Sequence, residues 1–177
     1  SVIGLIASLV GIVMGPYLAN RFGKKKVYLT AVIISTALNL LRLLDVTSMI
    51  LIYISALIGG VAGGWMVPVN TSIQADNTTY VQYKTGKRAE AAIASLTSFV
   101  SKVAQGLGGA IPGYVIAAYG FVTGASVQPE SINTGIILCA LILPLIFGIL
   151  GSLIFGTQYT LDQKAVIEMD AKINRNN

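Results

Sequence analysis

The stretch "TSFVSKVAQGLGGAIPGYVIAAYG" (97–120) is long and apolar enough to cross a membrane, yet it carries Lys102 in its interior. A helix needs about 20 mainly apolar residues to span the hydrocarbon core of a bilayer. A lysine at the centre of such a helix costs about 2.5–3.5 kcal/mol on insertion scales, so it is rare and usually paired. The stretch therefore predicts a membrane helix and a functional charge together.

The composition of the chain agrees with a membrane protein. Its 177 residues are 54% hydrophobic and 11% charged, whereas an ordinary soluble domain has about 25% charged residues. The sequence opens inside an apolar stretch without a charged leader, which predicts a fragment of a longer protein rather than a signal peptide. There is no histidine and only one cysteine, Cys139, so neither an enzyme nor a resident metal or other cofactor is expected.

Hydropathy predicts an all-α integral membrane fold with five spanning helices and a tail. A window of about 19 residues identifies them. The spans cover about 1–20, 27–44, 48–70, 90–119 and 133–156, and the tail covers 157–177.

The segments that connect the predicted spans alternate between basic and acidic. The segments 21–26 and 83–88 are basic, whereas 43–48 and 121–134 contain acids and no lysine or arginine. The positive-inside rule then predicts that both basic connections and the C-terminus are cytoplasmic and that Ser1 lies outside. Arg42 would stand at the outer end of its helix and extend to the headgroups. The net charge of +5 thus indicates membrane topology rather than nucleic-acid binding.

Polar residues around Lys102 recur at helical spacing. At 100° per residue they fall within an arc of roughly 120°. They are Ser95, Ser98, Ser101, Lys102 and Gln105. Serines also serve as interhelical packing residues and lysines extend to the interface, but the combination favours a stripe that lines a cavity. No carboxylate is expected at the depth of Lys102, so its partner would be substrate or an acid elsewhere in the protein.

Two glycine clusters and a tryptophan are the other features. "GGVAGGW" (59–65) and "GLGGAIPG" (106–113) allow either tight helix packing or bending. Trp65 lies inward of its helix end, where an indole stacks on sugar, anchors at the interface or simply packs. These alternatives stay open from the sequence.

Two segments resemble a transporter family. "GPYLANRFGKKK" (15–26) resembles the loop after the second helix of each half in the major facilitator superfamily, although Asn20 stands where an aspartate is common. The segment 75–110 resembles the cytoplasmic loop and eleventh helix of the glycoside–pentoside–hexuronide:cation symporters, the family of the bacterial melibiose carrier. The residues that carry this match are Ala75, Asp76, Tyr80, Lys84, Arg88, Glu90 and Lys102.

The resemblance implies that the chain is helices 8 to 12 of a twelve-helix transporter, in its C-terminal half. It places Lys102 at the sugar and cation site, facing acids of the N-terminal half, and places Thr97 and Ser98 where polar residues contact sugar. Trp65 lies two residues before the family's helix-ten tryptophan, a position that Val67 occupies here. With the stripe, the predicted substrate-binding residues are Lys102, Ser98, Thr97, Ser101, Gln105 and Trp65. The predicted cytoplasmic gate and loop residues are Asp76, Tyr80, Lys84, Arg88, Glu90, Gly15, Arg21 and Gly23.

The expected function is symport of a glycoside or other sugar with sodium or a proton, by alternating access, in the bacterial inner membrane. Carboxylates of the absent N-terminal half would bind the cation, and the expected partners are sugar, lipid and that half. Two alternatives remain. One is another major facilitator carrier, for a drug or other solute, and the other is a transport-inactive membrane sensor on the same fold.

Overall fold

The computed structural model describes residues 2–125 and 127–175, and every regular element among them is helical. In chain order these are α1 (Val2–Phe22), α2 (Lys24–Leu44), α3 (Met49–Thr85), α4 (Glu90–Ala118), α5 (Ser131–Ile137), a π-helical segment (Leu138–Ile142), α6 (Leu143–Gln158) and α7 (Gln163–Arg175). The predicted position of Ser1 and the last two residues of the predicted tail lie outside the described residues.

The prediction of an all-α membrane chain is confirmed. In the described part, four helical stretches are long and apolar enough to span a bilayer, with mean hydropathy between 1.8 and 2.7. They contain α1, α2, α3 and the run from α5 through α6. Helix α4 has 29 residues, but Lys102, Gln105 and its glycines make it less apolar than the other four. The predicted count of five spans is therefore approximate.

Helix α3 is longer than predicted. It has 37 residues and continues through the segment 75–85, which the sequence analysis assigned to a loop. It ends at Gly86, whose positive φ of 69° suits glycine and whose N–H donates to the carbonyl of Gln82. The predicted loop residues Asp76, Tyr80 and Lys84 thus lie on a helix, and only the short turn before α4 is irregular.

The basic connection between α1 and α2 is also shorter than predicted. Helix α1 ends at Phe22 and α2 begins at Lys24, so the turn consists of Gly23 alone, with φ 88°. Glycine adopts this backbone conformation without a steric penalty. The lysines of "RFGKKK" therefore form the first turn of α2.

A π-helical segment interrupts the last span just before Pro144. Proline has no N–H and its ring crowds the preceding turn, so an ordinary α-helix is disfavoured there. In the wider π turn, the N–H of Leu143 donates to the carbonyl of Leu138. The chain then continues as α6 to Gln158, and α7 packs beside α3, with the ammonium of Lys172 5.7 Å from the ring centre of Tyr83.

Helices α1 and α3 run parallel in backbone contact. A Cβ added to Gly64 would overlap the carbonyl of Ser8, and one added to Gly11 would overlap the carbonyl of Val61. Small residues are common where membrane helices meet, because they let backbones approach closely. For the cluster 59–65, this contact favours the packing alternative over bending.

Gly64 and its neighbour Gly63 provide a matched test of this contact. We expect Gly64→Ala to destabilise the protein by about 1–3 kcal/mol, the usual cost of overpacking. Gly63→Ala should not destabilise it, because no atom in the described part lies within 4 Å of the added Cβ. Unfolding of both purified variants in the same detergent measures the difference. Equal stability of the two would contradict the backbone contact.

Candidate functional site: a polar helix face and a buried charge pair

Lys102 is the thirteenth of the 29 residues of α4. The helix is unbroken on both sides of it, so Ser98, Ser101 and Gln105 share its side of the helix at 100° per residue. All four are exposed, and Thr97 is half-buried. The geometry that the stripe requires is therefore present in the chain.

The surroundings of α4 are open. None of its residues is buried in the described structure. Lys102 forms no salt bridge or hydrogen bond within residues 2–125 and 127–175. A Cβ added to Gly106, Gly108, Gly109 or Gly113 would meet no atom within 4 Å among these residues. This part of the chain supplies no partner for the polar face of α4.

Trp65 packs elsewhere. Its side chain is half-buried against a core cluster formed by Ala19, Val27, Val69, Ile73 and Tyr159. The indole Nε1 is buried and has no hydrogen-bond partner among the described groups. This cluster contains no residue of α4 in the described part, so the structure packs Trp65 apart from the predicted site residues of α4.

A buried charge pair lies where the first turn of α2 and the end of α6 meet the side of α3, a region that we call the basic end. Asp76 on α3 is 5% exposed. Both of its carboxylate oxygens accept hydrogen bonds from the Lys24 ammonium at 2.7 Å. The Tyr159 hydroxyl, just after α6, donates to Asp76 Oδ2 at 3.2 Å. These contacts satisfy a carboxylate that would otherwise be costly to bury.

Tyr159 is fixed by an aromatic stack as well. Its ring lies on Phe155 with centres 4.8 Å apart, and Phe155 contacts Tyr28 on α2 at 4.3 Å. Burial raises the pKa of Tyr159, and the negative charge of Asp76 and its hydrogen bond raise it further. The phenol therefore stays protonated at neutral pH and donates to the carboxylate.

The other predicted gate residues occupy two places. Gly15 packs against the Trp65 backbone and Pro68, and Arg21 donates to the Tyr17 hydroxyl at 3.2 Å. At the junction of α3 and α4, Arg88 pairs with Glu90, and the Lys84 ammonium lies 5.9 Å from the Tyr80 ring centre. The Arg88–Glu90 pair is largely exposed. Of the predicted set, Asp76 and Gly23 are the members at the buried charge pair.

The sequence analysis missed Lys24 and Tyr159. Lys24 is one of three consecutive lysines, and nothing in their order distinguishes the one that meets Asp76. Lys24 and Asp76 lie 52 positions apart, so no local sequence pattern links them. In the described part, no group of three or more His, Cys, Asp or Glu residues is arranged to hold a metal ion.

The sequence has clear relatives among curated proteins. The sequence profile of the family MFS/sugar transport protein matches residues 1–163. The chain is 30% identical over 96% of its length to the glucuronide carrier protein homolog of Escherichia coli K12, covering 39% of that protein. It is 27% identical over 75% of its length to the isoprimeverose transporter of Lactiplantibacillus pentosus, covering 28%. It is also 25% identical over 94% of its length to a putative sulfoquinovose importer of Escherichia coli K12, covering 36%.

The chain thus spans about a third of the length of the curated relatives it matches. The profile covers far more than half of the chain, and these relatives are transporters of sugars and sugar derivatives rather than enzymes. The resemblance to the sugar symporters of the major facilitator superfamily is therefore confirmed, and the chain belongs to the MFS/sugar transport protein family.

Proposed function

We propose that this chain forms helices 8 to 12 of a bacterial inner-membrane carrier that couples movement of a glycoside or other sugar to sodium or a proton. The names of its relatives support a sugar or sugar-derived substrate over a drug. In this proposal the C-terminus is cytoplasmic, and the upstream part of the protein supplies the other seven helices, six of them in the N-terminal half. Secondary carriers of this kind bind substrate near the membrane midplane and expose it alternately to each side.

The observation that carries the proposal is the ammonium of Lys102 near the middle of α4, which has no partner among the described residues. A charge at that depth is expected to face protein or water, and the hydroxyls and amide beside it are suitable ligands for sugar hydroxyls. We assign Lys102 to pairing with carboxylates of the upstream half. Binding of the cation and sugar would change how Lys102 pairs with these carboxylates. The carrier could then open its binding site to the other side of the membrane.

The charge pair at the basic end has a separate role in this proposal. The positive-inside rule predicts that the lysines of the basic end lie in the cytoplasm. There Asp76 joins α3 to the start of α2 through Lys24 and to the end of α6 through Tyr159. We infer that this pair holds the helices as one body while that body moves against the other half of the carrier.

Replacement of the central lysine tests the proposal. We expect Lys102→Ala in the complete carrier to abolish cation-driven sugar accumulation, because the upstream carboxylates would lose their countercharge. Val103→Ala, on the next position of the same exposed helix, should retain accumulation. Uptake of labelled glycoside by proteoliposomes with an imposed cation gradient measures both.

Two outcomes would count against this account. Wild-type accumulation by Lys102→Ala would remove the lysine from the coupling mechanism. If the unmodified carrier moves no solute under any gradient, the sensor alternative is favoured instead.

The buried pair makes a prediction about stability. Removal of one partner from a buried ion pair costs about 3–5 kcal/mol, and Lys24 reaches some water, so we expect about 1–3 kcal/mol for Asp76→Asn. The control is Glu90→Gln, which removes an exposed pair and should cost under about 1 kcal/mol. Thermal unfolding of the purified variants measures the difference. A loss for Asp76→Asn no larger than for Glu90→Gln would contradict the anchoring role.

A further inference from the structure

A groove runs between α1 and α2 at the basic end, with α3 beside it. It encloses about 380 Å³. Met14, Leu18 and Phe22 line it from α1, Val27 from α2 and Trp65 from α3. Its surface is almost entirely apolar, apart from Lys26 and Thr30. An apolar groove with a cation in its lining suits an amphiphilic anion.

Lys26 is the cation. It is exposed and lies in the first turn of α2, beside the turn that joins two spanning helices. Lys24 forms a salt bridge with Asp76, and Arg21 donates a hydrogen bond to the Tyr17 hydroxyl. Lys26, in contrast, has no carboxylate partner in the described part. Basic side chains at the ends of membrane helices lie at the level of lipid headgroups, where they attract anionic lipid.

The indole of Trp65 forms part of the apolar lining of the groove. Its Nε1 is buried and has no acceptor among the described residues. Tryptophan commonly occupies the membrane interface, where its N–H meets polar groups and its ring stays in apolar surroundings.

We propose that the groove between α1 and α2 binds one anionic phospholipid from the adjacent leaflet. Its phosphate would pair with Lys26, and an acyl chain would lie along Met14, Leu18 and Val27. The cation and the apolar wall match the anionic headgroup and the acyl chain of a phospholipid. Neither a sugar nor a soluble anion has the apolar zone that most of this groove requires. The inference concerns a lipid site outside α4 and is independent of the sugar assignment.

Native mass spectrometry tests the headgroup. The complete protein would be exposed to equimolar phosphatidylglycerol and phosphatidylcholine with identical acyl chains. We expect one phosphatidylglycerol to be retained in preference, and Lys26→Gln to reduce that preference about fivefold, as expected from the loss of one lysine near the headgroups. Lys164→Gln makes the same charge change at an exposed position of α7 and should leave the preference unchanged.

Fluorescence quenching tests the position of the acyl chain. Trp65 is the single tryptophan of this chain, and subtraction of the Trp65→Phe signal removes the contribution of any other tryptophan in the complete protein. Phosphatidylglycerol brominated on its acyl chains should quench Trp65. Thr30→Trp should reduce the quenching of Trp65, because the larger side chain fills the groove. The signal of the introduced tryptophan is measured in the double variant Thr30→Trp/Trp65→Phe and subtracted.

Three results would overturn the proposal. They are equal retention of phosphatidylglycerol by the wild type and Lys26→Gln, an equal loss of preference in Lys164→Gln, and absence of Trp65 quenching. The last result would mean that another segment of the protein covers the groove.

Discussion

Backbone contact between α1 and α3 is the constraint on which the helix arrangement depends. Lipid tails are as apolar as leucine, so membrane helices associate through close packing rather than through the hydrophobic effect. Gly11 and Gly64 permit this packing, because a side chain on either would overlap the other helix. With the two helices parallel and in contact, the turn at Gly23 lies beside α3 at the level of Asp76. The buried charge pair is a consequence of that alignment.

Helix α4 is less closely packed than α1 and α3. Its glycines meet no neighbouring helix in the described part, and its polar face is exposed, whereas Gly11 of α1 and Gly64 of α3 are in contact with a neighbouring backbone. Glycine thus allows close packing between α1 and α3, whereas the glycines of α4 have no packed neighbour in the described part. A rigid unit built on α1 and α3, beside a less constrained polar helix, suits a carrier whose substrate cavity forms between two moving halves.

The sequence predicted the features that depend on local composition and periodicity. The spanning helices and the shared face of Lys102, Ser98 and Gln105 follow from hydropathy and the helical repeat. The continuation of α3 to Thr85 was missed because its polar residues are typical of loops, although α7 and Lys172 pack beside it. The contact of Asp76 with Lys24 and Tyr159 depends on how distant segments pack, and no local pattern encodes it. The assignment of the polar face to substrate binding stays a prediction.

The central claim is that the polar face of α4 lines a water-filled substrate cavity, and cysteine accessibility tests it most directly. In the complete carrier without Cys139, a single cysteine at Gln105 would be compared with one at Leu107, 200° around the helix. The account predicts that a charged, membrane-impermeant thiol reagent modifies the first position rapidly, that sugar protects it, and that the second reacts slowly. Equal reactivity at the two positions, or no protection by any sugar, would contradict the account.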